Sequence, residues 1–198
     1  MEGHSGARLS ATDLTQRRWA GVTLEEVTLE ECVLSRIRAT AGTWRHTLID
    51  GGTLRGSDLA ALHTTDCSLL RVSMDGARLT GSSWLRARWR DLEVNDVQAD
   101  GLSAVQASFA DVRLRNVSLR EADFTSATWQ RVHLIDCDLT DARFAGMRAA
   151  HVRFSGCTLT GISGIEALRG TTLASTDAVS ALGAMAAHLG IGISEGEQ

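Results

Sequence analysis

The chain has 198 residues, enough for one elongated domain and a cap but not for two globular units. Its 24 acidic and 20 basic side chains leave a net charge of −4, which excludes a uniformly acidic surface. Met1 to Ala7 lacks a basic-then-apolar leader, and the weakly polar stretch Ala181–Ile193 is too short to span a bilayer and contains His188. A cytoplasmic protein with no membrane contact is the expectation.

Residues 1–6 read as a flexible N-terminus. From residue 7 onward one pattern governs the chain. Every fifth residue from Leu9 to Leu159 is apolar, apart from Thr64, and the series takes in all five Trp and all four Phe. A step of five suits neither an α-helix, where it would scatter these side chains around the axis, nor a flat strand, where it would alternate faces. The backbone must therefore bend about once per pentad so that each centre points inward again. Two residues before each centre the side chain is Ala, Val, Ile, Leu, Met or Cys, or otherwise small, with Arg17 the exception. The other three positions of each pentad hold most of the Ser, Thr, Asp, Glu and Arg. A unit this short cannot bury itself, so successive pentads must wind into a solenoid and stack over residues 7–161. Each buried centre contributes on the order of 1.5–3 kcal/mol, against backbone ordering of ~1–2 kcal/mol per residue. Thr64 costs little if its hydroxyl finds a carbonyl and otherwise marks the weakest coil.

Ala122-Asp123-Phe124-Thr125-Ser126 and Cys137-Asp138-Leu139-Thr140-Asp141 resemble the repeat Ala-(Asp/Asn)-Leu-x-x of the pentapeptide-repeat family, and the resemblance extends over residues 7–161. It implies an all-β solenoid, a right-handed quadrilateral β-helix with four pentads per coil and between seven and eight coils. At a strand spacing of ~4.8 Å such a rod is roughly 35 Å long.

Cys32, Cys67, Cys137 and Cys157 all fall at the small inward position. Cys137 and Cys157 should stack in adjacent coils, with Cβ atoms near ~4.8 Å, beyond disulfide range; buried free thiols are expected. No cysteine pair has zinc-ligand spacing, and no metal or cofactor is implied. His46 and Asp66 share an outer column with His63 nearby, a solvated arrangement and not a catalytic dyad. No catalytic residue can be named.

After Leu159 the period of five stops, and residues 162–193 read as a helical cap and dimerisation segment, with 194–198 as a tail. A short helix is expected around Ile165–Leu168. Ser175-Thr176-Asp177 offers an N-cap for a helix over Ala178–Leu189, stopped at Gly190. Val179, Leu182, Met185, Ala186 and Leu189 share one face of it, and Ile191 and Ile193 add apolar surface. Part of this segment must cover the last coil, whose edge would otherwise invite another strand. Ala167-Leu168-Arg169-Gly170 and the Ala-rich helix resemble the tail of a mycobacterial fluoroquinolone-resistance member of the family, which implies a homodimer through residues 175–193.

The same resemblance implies a function. Some members of the family mimic duplex DNA with outer columns of carboxylates and bind DNA gyrase, inhibiting it or protecting it from quinolones and other poisons. Between residues 7 and 161 the Asp and Glu are matched in number by Arg, so an acidic face can only be local. Two candidates stand out. Glu25, Glu26, Glu30 and Glu31 form an acidic corner near the N-terminal end. Glu121 and Asp141 stack, flanked by Asp123 and Asp138, with Asp100 and Asp136 near and Arg120 and Arg143 close enough to blunt them. The uninterrupted register places the chain with loop-free members of the family. A non-enzymatic, loop-free dimer that binds gyrase or another type II topoisomerase is the first expectation. A mixed-charge scaffold for another protein is the alternative. Direct nucleic-acid binding through Arg86, Arg88, Arg90, Arg113 and Arg115 is disfavoured, because interspersed acids cancel the field and the aromatic rings are spent in the core.

Overall fold

The computed structural model describes residues 4–193; the expected tail 194–198 and residues 1–3 of the expected N-terminal segment lie outside the described residues. The chain winds as a parallel β-solenoid of about eight turns, closed by a short helical region. Each backbone position pairs with the one a full coil later, as Leu9 with Leu29, Arg18 with Arg38 and Trp89 with Phe109.

The bend demanded by the five-residue period has a single conformational cause. The residue two places after each centre adopts a left-handed backbone, without interruption from Gly6 to Gly161, with φ between 48° at His46 and 73° at Gly51. Most of these corners are not glycine, so each carries a local cost of roughly 1–2 kcal/mol. The coil ladder offsets it: the Glu121 N–H donates to the Thr140 carbonyl at 2.8 Å, and the Asp141 N–H to that of Thr160 at 2.9 Å.

Four faces result. Two of them merge into one eleven-stranded sheet, because strands such as Ser108–Arg115 and Thr128–Ile135 continue around the corner between them. A third is held by single bridges, among them Arg38–Asp58 and Ser118–Asp138. The fourth is a five-stranded sheet from His4–Ser5 to Ser83–Leu85 and bridges thereafter. The solenoid begins earlier than expected, since His4–Ser5 already pairs with Leu24–Glu25. It also runs past 161: Ile162 is buried, and Ser163 bridges to Arg143.

The inward positions are filled as the sequence requires. From Leu24 to Leu159 the centres are buried, save for Ala149, which is partly exposed. All four cysteines are free and buried. Polar residues at the small inward position find backbone carbonyls, some on the coil before and some on their own: the Ser57 hydroxyl donates to the Leu34 carbonyl at 2.6 Å and the Cys67 thiol to that of Trp44 at 3.4 Å, while the Ser82 hydroxyl donates to the Leu79 carbonyl at 2.7 Å. Burial pushes the Cys67 thiol up, and contact with the Cys157 sulfur together with burial raises that of Cys137. Thr64 is the exception the sequence flagged. It is 1% exposed and its hydroxyl has no hydrogen-bond partner.

The two ends differ. At the N-terminal end Leu9 is 38% exposed and Trp19 only half-buried, around an apolar recess of about 280 Å³ that also touches Leu14 and Leu29. At the other end a 3₁₀ turn, Ile165–Leu168, leads to a strand, Thr172–Leu173, which adds to Arg153–Phe154. The single helix expected over 178–189 is two short ones, α1 (Ser175–Ser180) and α2 (Leu182–His188), joined at the wholly buried Ala181. The break lets the Ser180 hydroxyl accept the Leu159 N–H at 2.9 Å while donating to the Asp177 carbonyl at 2.7 Å. The expected cap also differs: Ala174 occupies the N-cap position, and Asp177 lies buried in the first turn with its Oδ1 accepting from the Thr176 hydroxyl at 3.0 Å. Gly190 ends α2 as expected, at φ 70°. No described helix is long and apolar enough to cross a membrane.

Candidate partner-binding surfaces

Every outward side chain belongs to a column one coil deep per residue, so charge is displayed in stacks about 4.8 Å apart. Asp66 stacks between His46 and Arg86 at one corner, and Arg86 takes it as a partner at 2.7 Å. That bond holds the Asp66 carboxyl below the usual carboxylate range. Glu93 with Arg113 and Asp111 with Arg131 repeat the arrangement at 2.8 and 2.5 Å. Of the arginines considered for nucleic acid, Arg86, Arg90 and Arg113 are thus engaged with acids, Arg90 with Asp91 at 3.6 Å.

The four N-terminal glutamates occupy two successive corners and not one, since Glu26 and Glu31 each carry a left-handed backbone. Glu30 is held by Arg8 at 2.7 Å, which lowers its carboxyl, and Glu31 lies 3.8 Å from Arg71. Glu25 ends the strand Thr23–Glu25 and is exposed.

In the C-terminal patch the corner residues Glu121 and Asp141 stand one coil apart, as expected. Neither has an ion-pair partner among the described residues. The carboxylates beside them do. Asp123 meets Arg143 at 3.7 Å and accepts the Thr125 N–H at 2.9 Å. Asp138 meets Arg120 at 3.3 Å. Burial pushes the Asp138 carboxyl up, but hydrogen bonds from Thr140 and the Arg120 charge outweigh it and hold it below the ordinary value. Asp100 accepts the Ser118 hydroxyl and the Arg120 N–H. Asp136 and Asp141 lie over Gly156 and Gly161 of the next coil, in space a Cβ there would fill. Arg120 and Arg143 therefore blunt the patch through definite contacts with Asp138 and Asp123, while Glu121 and Asp141 keep their charge unpaired in one corner column and Asp136 does so in another.

The cap presents the other candidate surface. Val179, Leu182, Leu189, Ile191 and Ile193 are exposed, at 53% or more. Met185 packs half-buried against the core, and Ala186 is buried, so the helical face expected at a dimer is divided between the cap's interior and solvent.

Sequence reasoning missed the left-handed corners. A signal for them existed, because ten of the nineteen glycines occupy corner positions. Among the described residues no group of three His, Cys, Asp or Glu side chains is placed to hold a metal.

A family model described as pentapeptide repeats matches residues 105–141 and 130–163, in eight copies. No curated protein matches the chain in sequence. Solved structures with some likeness include full-length QnrB1, a plasmid-mediated fluoroquinolone resistance protein, at 17% identity over 96% of this chain and 100% of that one, with a TM-score of 0.37. Rfr23 from the cyanobacterium Cyanothece 51142 is 11% identical over 71% of this chain and 89% of its own, with a TM-score of 0.46. HetL, a protein of heterocyst differentiation regulation from the cyanobacterium Nostoc, is 17% identical over 84% and 78%, with a TM-score of 0.30. The matched segment, residues 105–163, carries pentapeptide repeats, and it lies inside an unbroken run of the same five-residue unit from Gly6 to Gly161.

Proposed function

We propose that this protein is a non-enzymatic interaction module whose rod engages DNA gyrase, or another type II topoisomerase, in place of duplex DNA. The observation that supports this reading is the stacked, unpaired pair Glu121–Asp141, on the coils nearest the apolar cap. Phosphate charge dominates binding to DNA-reading surfaces, so a mimic needs carboxylates in register and free of arginine. The reading includes a homodimer through Val179, Leu182, Leu189, Ile191 and Ile193, which brings two such corners toward each other. A gyrase supercoiling assay, with and without a quinolone, tests it. Inhibition or rescue at micromolar protein, abolished when Glu121, Asp123 and Asp141 are all changed to Lys in a folded variant, supports the reading. Unchanged activity of that variant removes the assigned surface.

The pairing of Asp123 and Asp138 with arginines favours a second reading, a mixed-charge scaffold for another protein. It expects no effect on any topoisomerase and a partner recoverable by pull-down.

A further inference from the structure

One outward column reverses its charge along the rod. Glu93, Arg113, His133 and Arg153 are successive partners across four coils, and Thr172 of the cap strand completes the ladder. The adjacent corner column carries Asp111, Arg131 and His151, each with a left-handed backbone. Between the two columns runs a groove of about 570 Å³, walled at its far end by Gly170 and Thr172.

Charge is sorted within this groove. At the end nearer the N-terminus, Glu93 engages Arg113 and Asp111 engages Arg131, so those coils are neutral. His133 stands beside Arg131, and one coil further on stand His151 and Arg153 together, and none of the three has a carboxylate partner among the described residues. These seven are the charged and titratable side chains lining the groove. The cap-side half therefore presents a guanidinium and two imidazoles to a concave polar space, with a threonine beside them. Guanidinium forks and imidazolium N–H groups suit the oxygens of a tetrahedral oxyanion.

We propose that this groove binds a small molecule bearing a phosphate or sulfate group, held by Arg153, His133 and His151. The neutral Glu93–Arg113 and Asp111–Arg131 pairs border the rest of the ligand. Imidazoles in general gain a proton as pH falls from 8 to 5, while carboxylates in ion pairs keep their charge across that range. Oxyanion affinity therefore rises as pH falls.

Sulfate is the diagnostic probe, because it remains a dianion across this range. Titration calorimetry on the full chain should give one saturable sulfate site per chain, bound at least fivefold more tightly at pH 6 than at pH 8. Arg153→Gln should weaken it at least tenfold with thermal unfolding unchanged, and the pair His133→Asn with His151→Asn should remove the pH dependence. Arg78→Gln, far from the groove, should bind like the parent. Absence of saturable binding at pH 6, or an Arg153→Gln variant that binds like the parent, overturns the proposal. Stronger retention by duplex DNA than by inorganic phosphate, with sulfate competing, overturns the small-molecule assignment.

Discussion

The coils between Gly42 and Ser82 and those between Ala99 and Leu159 obey the same register with different interiors. Trp84 and Trp89, between the two regions, lead into the second, where Phe109, Phe124, Trp129, Phe144 and Phe154 follow, each ring touching another with centroids 4.8–6.4 Å apart, as one aromatic chain. In the first region that chain is interrupted. Thr64 pairs in register with Trp44 on one side and Trp84 on the other, where a large apolar residue would join them. Trp44 is left touching only Trp19 among the aromatic rings, at 6.2 Å. Around it Thr47, Gly52, Ser57 and Ser82 occupy small inward positions that Ala and Val fill elsewhere. The lesson is that backbone register and core cohesion are separable. A solenoid keeps its coil through the ladder and the corners, while its stability varies locally with what stands at the centres, because each coil contacts only its neighbours. The family model's match, confined to 105–163, lies in the aromatic region.

The largest test of this contrast is Gly52→Ala. Gly52 has φ 99°, and a Cβ there would collide with the Cys32 carbonyl, a backbone atom that cannot swing aside. The expected loss exceeds about 4 kcal/mol, and hydrogen exchange should show coils on both sides of it opening together. Phe124→Ala strikes the cohesive region instead. About 3 kcal/mol should be lost, measurable by denaturant unfolding, and the coils around Gly52 should still exchange first; a reversal of that order would break the comparison. Thr64→Val should go the other way, stabilising by about 1–2 kcal/mol through removal of a buried unpartnered hydroxyl at nearly constant shape, and its signature is slower exchange at Trp44 and Trp84. The smallest effect comes from acid. The Asp66 and Asp111 carboxyls are depressed by hydrogen bonds from Arg86 and Arg131. Their stabilisation is complete above the ordinary Asp value of about 3.9 and is lost as pH falls through the lower folded values. Asp66→Asn with Asp111→Asn should flatten the melting-temperature profile only below about pH 4.

The five-residue period carried most of the fold, since it fixes which two side chains per pentad point inward and which residues stack. The flagged position, Thr64, was legible for the same reason. The corner conformation was not, because Asp, Glu, Arg, His and Ala adopt it beside Gly, and side-chain identity records it only as a glycine excess. The break at Ala181 was equally hidden. Val179, Leu182, Met185 and Ala186 fit a continuous helical face, and the Ser180 hydroxyl that meets the Leu159 N–H belongs to a contact between distant segments. The acidic corner at Glu121 and Asp141 followed from spacing alone, while the groove at Arg153 needed the cap strand Thr172–Leu173 to form its wall.

The coil of four pentads also makes the chain's length and its angular phase independently adjustable. Removing one whole coil, such as 99–118, brings Gln98 to Leu119 with every later residue still on its own face, and the rod shortens by about 4.8 Å. Removing a single pentad instead turns everything beyond it by a quarter turn. The cap and the Glu121 corner would then face a new direction relative to the first coils, with every inward position still inward.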